Sequence, residues 1–281
     1  PPVQPPVQPP VQPPVQPPTT KSKYVNYQNY PYTGQEYMEV WHAFNFDTIK
    51  VGISPSPDSY DQNVRYVSAV QEGILEWTQT VEEKYGGNWN VSFEVLSKDR
   101  PFFTTSPDVI INIISPEKGD MCIKDSYGKI TLGKTWTGTQ LPKQAYVCST
   151  VDSKSLSKSQ VSATTGHEFA HDIGLLHTWN KDNDRMCSGE NRNGQHVWTC
   201  DVMWNRSDYP SDFDIAGMVK IYGTDGWSYP NYYDGTDDKL TADEFLNTKL
   251  NEQPTKNIPT PVAPTPVAPT PVAPTPVAPT P

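Results

Sequence analysis

The stretch H-E-F-A-H-D-I-G-L-L-H-T, residues 167–178, decides how the rest of the chain is interpreted. On a helix, His167 and His171 project from one face, where two imidazoles can occupy adjacent corners of a tetrahedral zinc ion. Gly174 is placed to end that helix, because a positive φ angle costs little only for glycine, and the turn can carry His177 back as a third ligand. Three protein ligands leave a fourth position for water, which indicates a catalytic site.

Glu168 lies between the two helical histidines and can reach a zinc-bound water without being a ligand. In such a site zinc lowers the pKa of the water, and the carboxylate takes a proton and passes it to the leaving amine. The alternative is a helix whose histidines only cap or pack. Three of the five histidines fall in this pattern, which favours the metal site. His42 and His196 lie outside it and are interpreted as surface or core residues.

The two ends of the chain are proline-rich and differ from its middle. Residues 1–18 repeat PPVQ and residues 259–281 repeat VAPTP, and each segment holds ten of the 30 prolines. Neither segment contains a charged residue, so the whole net charge of −10 belongs to residues 19–258. The repeats cannot bury a core and lack the glycine period of collagen. We expect them to be spacers that link the middle to other domains or to a surface.

Composition argues against two classes of protein. The isoelectric point of about 4.9 is unlike that of a nucleic-acid-binding protein, whose affinity comes largely from Lys and Arg on phosphates. No apolar run approaches 18 residues, so no membrane span is predicted. The chain begins with Pro1 rather than methionine and shows no signal-peptide pattern. We therefore expect a fragment or a processed product.

Four cysteines, at positions 122, 148, 187 and 200, contain no CxxC pair, which favours two disulfides over a four-thiolate zinc site. Proximity in sequence favours Cys122 with Cys148 and Cys187 with Cys200, although three connectivities are open. Four unrelated buried thiols are the alternative. Disulfides form in oxidising compartments, so we expect the protein to be secreted or attached to a cell surface.

Apolar periodicity and capping residues predict the order of the secondary-structure elements. Alternating or continuous apolar residues predict strands at 41–53, 91–95, 109–114 and 145–151. Three capping boxes predict helix starts, and these are Ser59 with Gln62, Ser157 with Gln160, and Thr241 with Glu244. The first helix is expected to run to about Lys84 and the last to end near Leu250.

With its pattern H-E-x-x-H-x-x-G-x-x-H, the chain resembles the metzincin clan of zinc endopeptidases. The segment CDVMWN supplies Met203 as a candidate for the Met-turn, a methionine that lies beneath the metal in that clan, and Met186 is the weaker choice. The segment FDIAGMVKIYG, 213–223, is similar to the final helix of the matrixins. Asp214 matches the second Asp of the matrixin pair, which helps to anchor the chain near the active site, whereas Phe213 replaces the first.

The resemblance implies an α+β fold of the zincin type, in which a mixed, twisted sheet and two long helices lie above the metal. It covers a catalytic domain at 39–223, with a Tyr- and Asn-rich linker at 19–38 and a C-terminal extension with a short helix at 224–258. It also implies one catalytic zinc and a protein or peptide substrate extended along an edge strand. Trp204 and Tyr209 are candidates for the wall of the substrate pocket.

The chain departs from the matrixin pattern in two further places. Twenty-five residues separate His177 from Met203, and this insertion contains Cys187 and Cys200. No histidine lies between His42 and His167, so the second, structural zinc of matrixins is not expected.

The acidic cluster at 182–184 is a candidate calcium site, as in matrixin loops, with a solvated polar loop as the alternative. The segment 237–245 fits a capped helix better than a calcium-binding loop.

A secreted zinc endopeptidase is therefore the leading hypothesis for the function. A non-catalytic surface-display or adhesion module on proline-rich stalks is the alternative from another class. A zinc hydrolase of small substrates is a third.

Overall fold

The computed structural model describes the central part of the chain. The described residues are 37–41, 44, 46–116, 121–124, 130–136, 141–179, 189–192, 195–198, 210–227 and 238–247. The two proline-rich repeats lie outside these residues, and so does most of the predicted linker.

The described residues form short strands and five helices. The strands are β1 (Tyr37–Val40), β2 (Ile49–Pro55), β3 (Val91–Val95), β4 (Val109–Ile114), β5 (Gly133–Thr135), β6 (Lys143–Cys148), β7 (Thr150–Val151), β8 (Lys154–Ser155), β9 (Leu175–Trp179), β10 (Gly189–Arg192), β11 (Gln195–Trp198) and β12 (Asp238–Thr241). The helices are α1 (Tyr60–Asn63), α2 (Val67–Tyr85), α3 (Lys158–Asp172), α4 (Asp212–Tyr222) and α5 (Ala242–Asn247).

The main sheet has five strands in the order β3-β2-β4-β6-β5. The first four are parallel, and β5 pairs antiparallel with β6 at the edge. Valine and isoleucine make up five of the six residues of β4, as expected of an inner parallel strand that is covered on both faces. Residues of β4 alternate between buried and half-buried, so one face is covered less completely than the other. The mixed sheet with separate helices confirms the α+β class.

Helices α2 and α3 pack against each other beside this sheet. Ile74 and Trp77 of α2 and Val161 and Phe169 of α3 are completely or almost completely buried in one continuous core. These residues recur at helical spacing in the sequence, which is why the two helices each bury one face. The packing places the C-terminal end of α3, which carries the histidine motif, next to the sheet.

A second sheet of three strands, in the order β12-β1-β9, supports the segment after α3. In this sheet β1 pairs antiparallel with both neighbours. Met38 in β1 and Leu240 in β12 belong to the core. Residues from the predicted linker thus pair with the strand that contains His177, and residues from the predicted C-terminal extension pair with the other side of β1.

Three boundary predictions were wrong. The strand predicted at 41–53 begins only at Ile49, as β2, and β1 ends before Trp41 in a different sheet. The strand predicted at 145–151 ends at Cys148 and is followed by the small β7-β8 hairpin. Ser59 makes no side-chain cap, because Pro57 already opens a helical turn and leaves Ser59 at φ −131° and ψ 33°, outside the extended conformation that a cap requires. In addition, a short 3₁₀ turn at 64–66 separates α1 from α2.

The capping box at Thr241 forms only in half. The hydroxyl of Thr241 accepts a hydrogen bond from the backbone N–H of Glu244 at 3.1 Å. The carboxylate of Glu244 instead pairs with Lys220 of α4 at 2.6 Å. This pair ties α5 to α4, so the tertiary contact replaces the local one.

None of the helices in the described part of the chain has the length and apolar character needed to cross a bilayer.

An ion pair between Lys84 and Asp212 joins the end of α2 to the start of α4. Both side chains are largely buried, with 12% and 7% exposed. Burial lowers the pKa of Lys84 to about 8 and raises the pKa of Asp212 to about 6. The desolvation of each charge therefore outweighs its attraction to the other, and removing one partner leaves a buried, poorly solvated charge.

Replacing Lys84 with methionine should lower the free energy of unfolding at pH 7 by about 1 to 3 kcal/mol. The loss should shrink as the pH falls below about 6, because protonated Asp212 no longer needs a cation. Urea denaturation at several pH values measures both effects. Lys98→Met is the matched control, since its pair with Asp61 is exposed, and it should change stability little. An equal loss for both variants at every pH would contradict this account.

Candidate metal centre

Helix α3 presents the motif, and its start is the one predicted. The hydroxyl of Ser157 accepts from the backbone N–H of Gln160 at 3.2 Å, and the Gln160 side chain accepts from the backbone N–H of Ser157 at 2.9 Å. This capping box satisfies donors that the first turn leaves unpaired. The helix ends at Asp172, one residue after His171.

The three motif histidines converge on one point. One nitrogen from each of His167, His171 and His177 lies within 4.8 Å of the others. The Nε2 atoms of His167 and His177 are 3.3 Å apart. A tetrahedral zinc with bonds of about 2.0–2.1 Å separates its ligand atoms by about 3.3 Å. The cluster could therefore hold a metal ion, and its donors are imidazole nitrogens, which suit zinc.

The turn at Gly174 brings His177 back to the helix. Gly174 has a φ angle of +104°, which L-residues with a side chain rarely adopt, and an added Cβ would overlap the carbonyl oxygen of Trp41. The backbone N–H of Trp41 donates to the Gly174 carbonyl at 3.0 Å, which fixes this close approach. Directly after the turn, β9 runs back beside the helix and carries His177.

A hydrogen bond orients His171 for metal binding. Its Nδ1 lies 2.7 Å from the carbonyl oxygen of Leu175, which can only accept, so Nδ1 carries the hydrogen and Nε2 is left with its lone pair. Burial, together with the neighbouring His167 and His177, lowers the pKa of His171 well below its usual range. The ring is therefore neutral at pH 7, which is the form that binds metal.

Glu168 is buried beside the histidines and contacts the edge of the main sheet. Only 5% of the residue is exposed. The hydroxyl of Thr135 in β5 donates to Glu168 Oε2 at 2.6 Å. Burial raises the pKa of Glu168, although the neighbouring His167 and the Thr135 hydrogen bond both act to lower it. Thr135 was not predicted as a site residue, because no local pattern marks a residue 33 positions away in sequence.

Asp172, inside the motif itself, is a second carboxyl that the sequence analysis did not single out. Its side chain is buried, and in the described part of the chain neither oxygen has a hydrogen-bond partner. Burial and the nearby charge of Glu168 raise the pKa of Asp172 well above its usual range, and Lys143 acts in the opposite direction. Burial therefore favours the neutral form of this carboxyl.

The disulfide between Cys122 and Cys148 supports the edge strand. The pair is the one that sequence proximity favours, and its Cα atoms are 5.6 Å apart. Next to it, the backbone N–H of Cys122 donates to Thr131 and that of Cys148 donates to Leu132. The bridge thus fixes the segment that leads directly into β5.

Asp214 occupies the first turn of α4. Its carboxylate accepts from the backbone N–H of Ser211 at 2.8 Å, and the Ser211 hydroxyl accepts from the backbone N–H of Asp214 at 3.1 Å. The residue is fully buried and closes the start of the helix. Its predicted role as an anchor beside the active site stays a prediction. The helix does reach the site at its other end, where the Tyr222 hydroxyl donates to the carbonyl of Ile173.

Several predicted residues lie outside the described part of the chain. They are Met203, Trp204, Tyr209, Cys187, Cys200, Met186, His42 and the acidic cluster at 182–184. The Met-turn, the pocket wall, the second disulfide and the calcium site therefore stay predictions. His196 lies in β11, away from the motif in sequence.

Comparisons with known proteins give little guidance. No protein-family model and no curated protein matches the sequence. Two structures of myroilysin align with 48% of the chain at 14% identity and a TM-score of 0.25, and the aligned part spans 47% and 45% of their own chains. A structure of a chaperone–substrate complex aligns with 73% of the chain at 14% identity and a TM-score of 0.33, across 34% of that chain. TM-scores this low do not establish a shared fold.

Replacing Gly174 with alanine should weaken zinc binding about 10- to 100-fold, because the turn must shift away from Trp41 and take His177 with it. Competition with a chromophoric chelator measures the affinity. Gly86→Ala is the matched control, since Gly86 also has a positive φ of +80° but an added Cβ meets nothing within 4 Å. Unchanged zinc affinity in Gly174→Ala would contradict the role given to the turn.

Proposed function

We propose that the protein is a zinc-dependent endopeptidase that hydrolyses peptide bonds in proteins. The observation that carries the proposal is the convergence of three histidine nitrogens beside a buried glutamate. A closed structural site would have a fourth protein ligand, whereas the cluster found among the described residues has three. The open fourth position is what a hydrolytic centre needs.

The residues present fit a zinc ion. His167 and His177 already have the nitrogen separation that tetrahedral ligands require, and His171 is held in the neutral tautomer that leaves Nε2 for the metal. When bound, zinc would supply the Lewis acidity that activates water and polarises a carbonyl group. Imidazole also suits copper and nickel, so the type of donor does not select zinc. The number of ligands does, because three protein ligands with one open position are typical of catalytic zinc.

Glu168 would move the protons. Its raised pKa brings the proton affinity of its carboxylate closer to neutral pH, which suits a group that first accepts a proton from water and then donates it to the leaving amine. Because the side chain is almost completely buried, bulk water does not compete for its oxygens.

The edge of the main sheet would receive the substrate. In the described part of the chain, β5 pairs with β6 on one side only. An extended peptide can add to such an edge through main-chain hydrogen bonds. Since Thr135 of β5 contacts Glu168, a peptide on this edge would pass close to the carboxylate.

The finer assignments belong to the same proposal. A zincin-type fold close to the matrixins, the Met-turn at Met203 and the pocket candidates Trp204 and Tyr209 rest on the motif resemblance. Secretion is supported by the buried Cys122–Cys148 disulfide, because such bridges form in oxidising compartments. The uncharged repeats would then be spacers that hold the domain at a distance from a surface or from other domains.

Replacing Glu168 with alanine should reduce the cleavage of an unfolded protein substrate by at least about a hundredfold, since the group that moves the proton is lost. Zinc content should stay at one ion per chain, because Glu168 is not a ligand. Mass spectrometry of the products, with and without a zinc chelator, measures the cleavage. Glu83→Ala, an exposed position on α2, is the control and should cleave like the unmodified chain.

Undiminished cleavage by Glu168→Ala would refute the mechanism. A purified chain with almost no zinc and no chelator-sensitive activity would favour the non-catalytic surface-display module instead.

A further inference from the structure

We propose that Thr135 is a positioning residue that, together with Gly133, holds the carboxylate of Glu168 in a fixed orientation. The strand that would receive the peptide would then also set the geometry of proton transfer. The catalytic meaning of this arrangement rests on the proposed function, whereas the contact itself does not.

The hydrogen bond from Thr135 is short and directed at one carboxylate oxygen. Its Oγ1 lies 2.6 Å from Glu168 Oε2, within the range of about 2.5–2.7 Å typical of a hydroxyl that donates to a charged carboxylate. The same hydroxyl lies 3.1 Å from the backbone carbonyl of Glu168. Because a hydroxyl has one hydrogen, the shorter contact takes it. Both acceptors belong to Glu168, which keeps the Thr135 side chain facing that residue.

Gly133 leaves the space that the other carboxylate oxygen occupies. A Cβ at this position would overlap Oε1 of Glu168 and would lie 2.7 Å from its Cγ. The carboxylate therefore lies directly against the backbone of β5, in space that only glycine leaves. Gly133 and Thr135 are two residues apart and so lie on the same face of the strand. One oxygen is held by a hydrogen bond, and the other lies in the space left by the missing side chain at Gly133.

Strand β5 is itself held firmly. Gly133, Lys134 and Thr135 pair with Val147, Tyr146 and Ala145 of β6. The Cys122–Cys148 disulfide closes the end of that pair, where the backbone N–H of Cys148 donates to Leu132. A side chain on a strand fixed at both ends positions its partner more accurately than one on a loop. The position of the Glu168 carboxylate is thus set by the main sheet as well as by its own helix.

A role in positioning predicts a particular kinetic pattern. If Thr135 orients the group that moves the proton, its loss should slow the chemical step and leave the binding of substrate and zinc almost unchanged. A role only in folding would instead lower the fraction of folded protein and leave the turnover of the folded fraction unchanged.

The contact can be tested without any activity, in the metal-free full-length chain. The shift in melting temperature is measured for Thr135→Val, for Glu168→Met and for the double variant. Thr135→Val should lower the melting temperature, and the drop should be less than half as large when Glu168 is already methionine. Thr78→Val is the matched control, since the Thr78 hydroxyl donates to the Leu75 carbonyl within α2, and its shift should be the same in both backgrounds.

The positioning role is tested by kinetics on the zinc-loaded chain. Thr135→Val should lower kcat by between about tenfold and a hundredfold, with KM and zinc affinity almost unchanged. Thr135→Ser keeps the hydroxyl and should restore most of kcat. Gly133→Ala should also lower kcat, because it displaces the carboxylate from the other side.

Equal shifts in melting temperature for Thr135→Val in both backgrounds would overturn the contact, whatever the activity. Coupling without any loss of kcat, or failure of Thr135→Ser to restore it, would overturn the positioning role. A chain that shows the coupling but cleaves no protein would overturn the proposed function, and with it the catalytic meaning of Thr135, while leaving the contact in place.

Discussion

The left-handed turn at Gly174 is the constraint on which the metal centre depends. It ends α3 within one residue of the second histidine and starts β9, so that His177 returns to 3.3 Å from His167. Any larger residue would collide with Trp41, whose own backbone is bonded to Gly174. Strand β1, just before Trp41, pairs with β9 and steadies the returning segment. A sharp local turn therefore determines the geometry of the whole site.

Two further parts of the fold contact the helix that carries the centre. The main sheet reaches Glu168 through its edge strand, which the Cys122–Cys148 disulfide fixes. In addition, Tyr222 of α4 donates to the carbonyl of Ile173 at the end of α3. Tyr222 also packs edge-on against two buried tryptophans, Trp89 and Trp227. The histidines thus stand between rigid elements, which is the arrangement that a reactive site requires.

The sequence was most informative where the structure depends on near neighbours. The spacing of His167 and His171, the turn at Gly174 and the cap at Ser157 are local patterns, and the structure has all three. Contacts across long separations carried no such signal, which is why Thr135 was missed and the start of β2 was predicted at 41 rather than at Ile49. The cap predicted at Ser59 was wrong because a neighbouring residue, Pro57, already starts the helical turn. Asp172 was not singled out because its raised pKa comes from its burial in the fold, which the residue type does not reveal.

X-ray absorption spectroscopy of the zinc-loaded, full-length chain tests the central claim most directly. The account predicts a four-coordinate ion with three histidine nitrogens and one oxygen from water, all at about 2.0–2.1 Å. Fewer than three histidine nitrogens around the ion would contradict the role of the Gly174 turn in completing the site. Sulfur at about 2.3 Å, or a fourth protein ligand that closes the site, would contradict a hydrolytic centre with an open position.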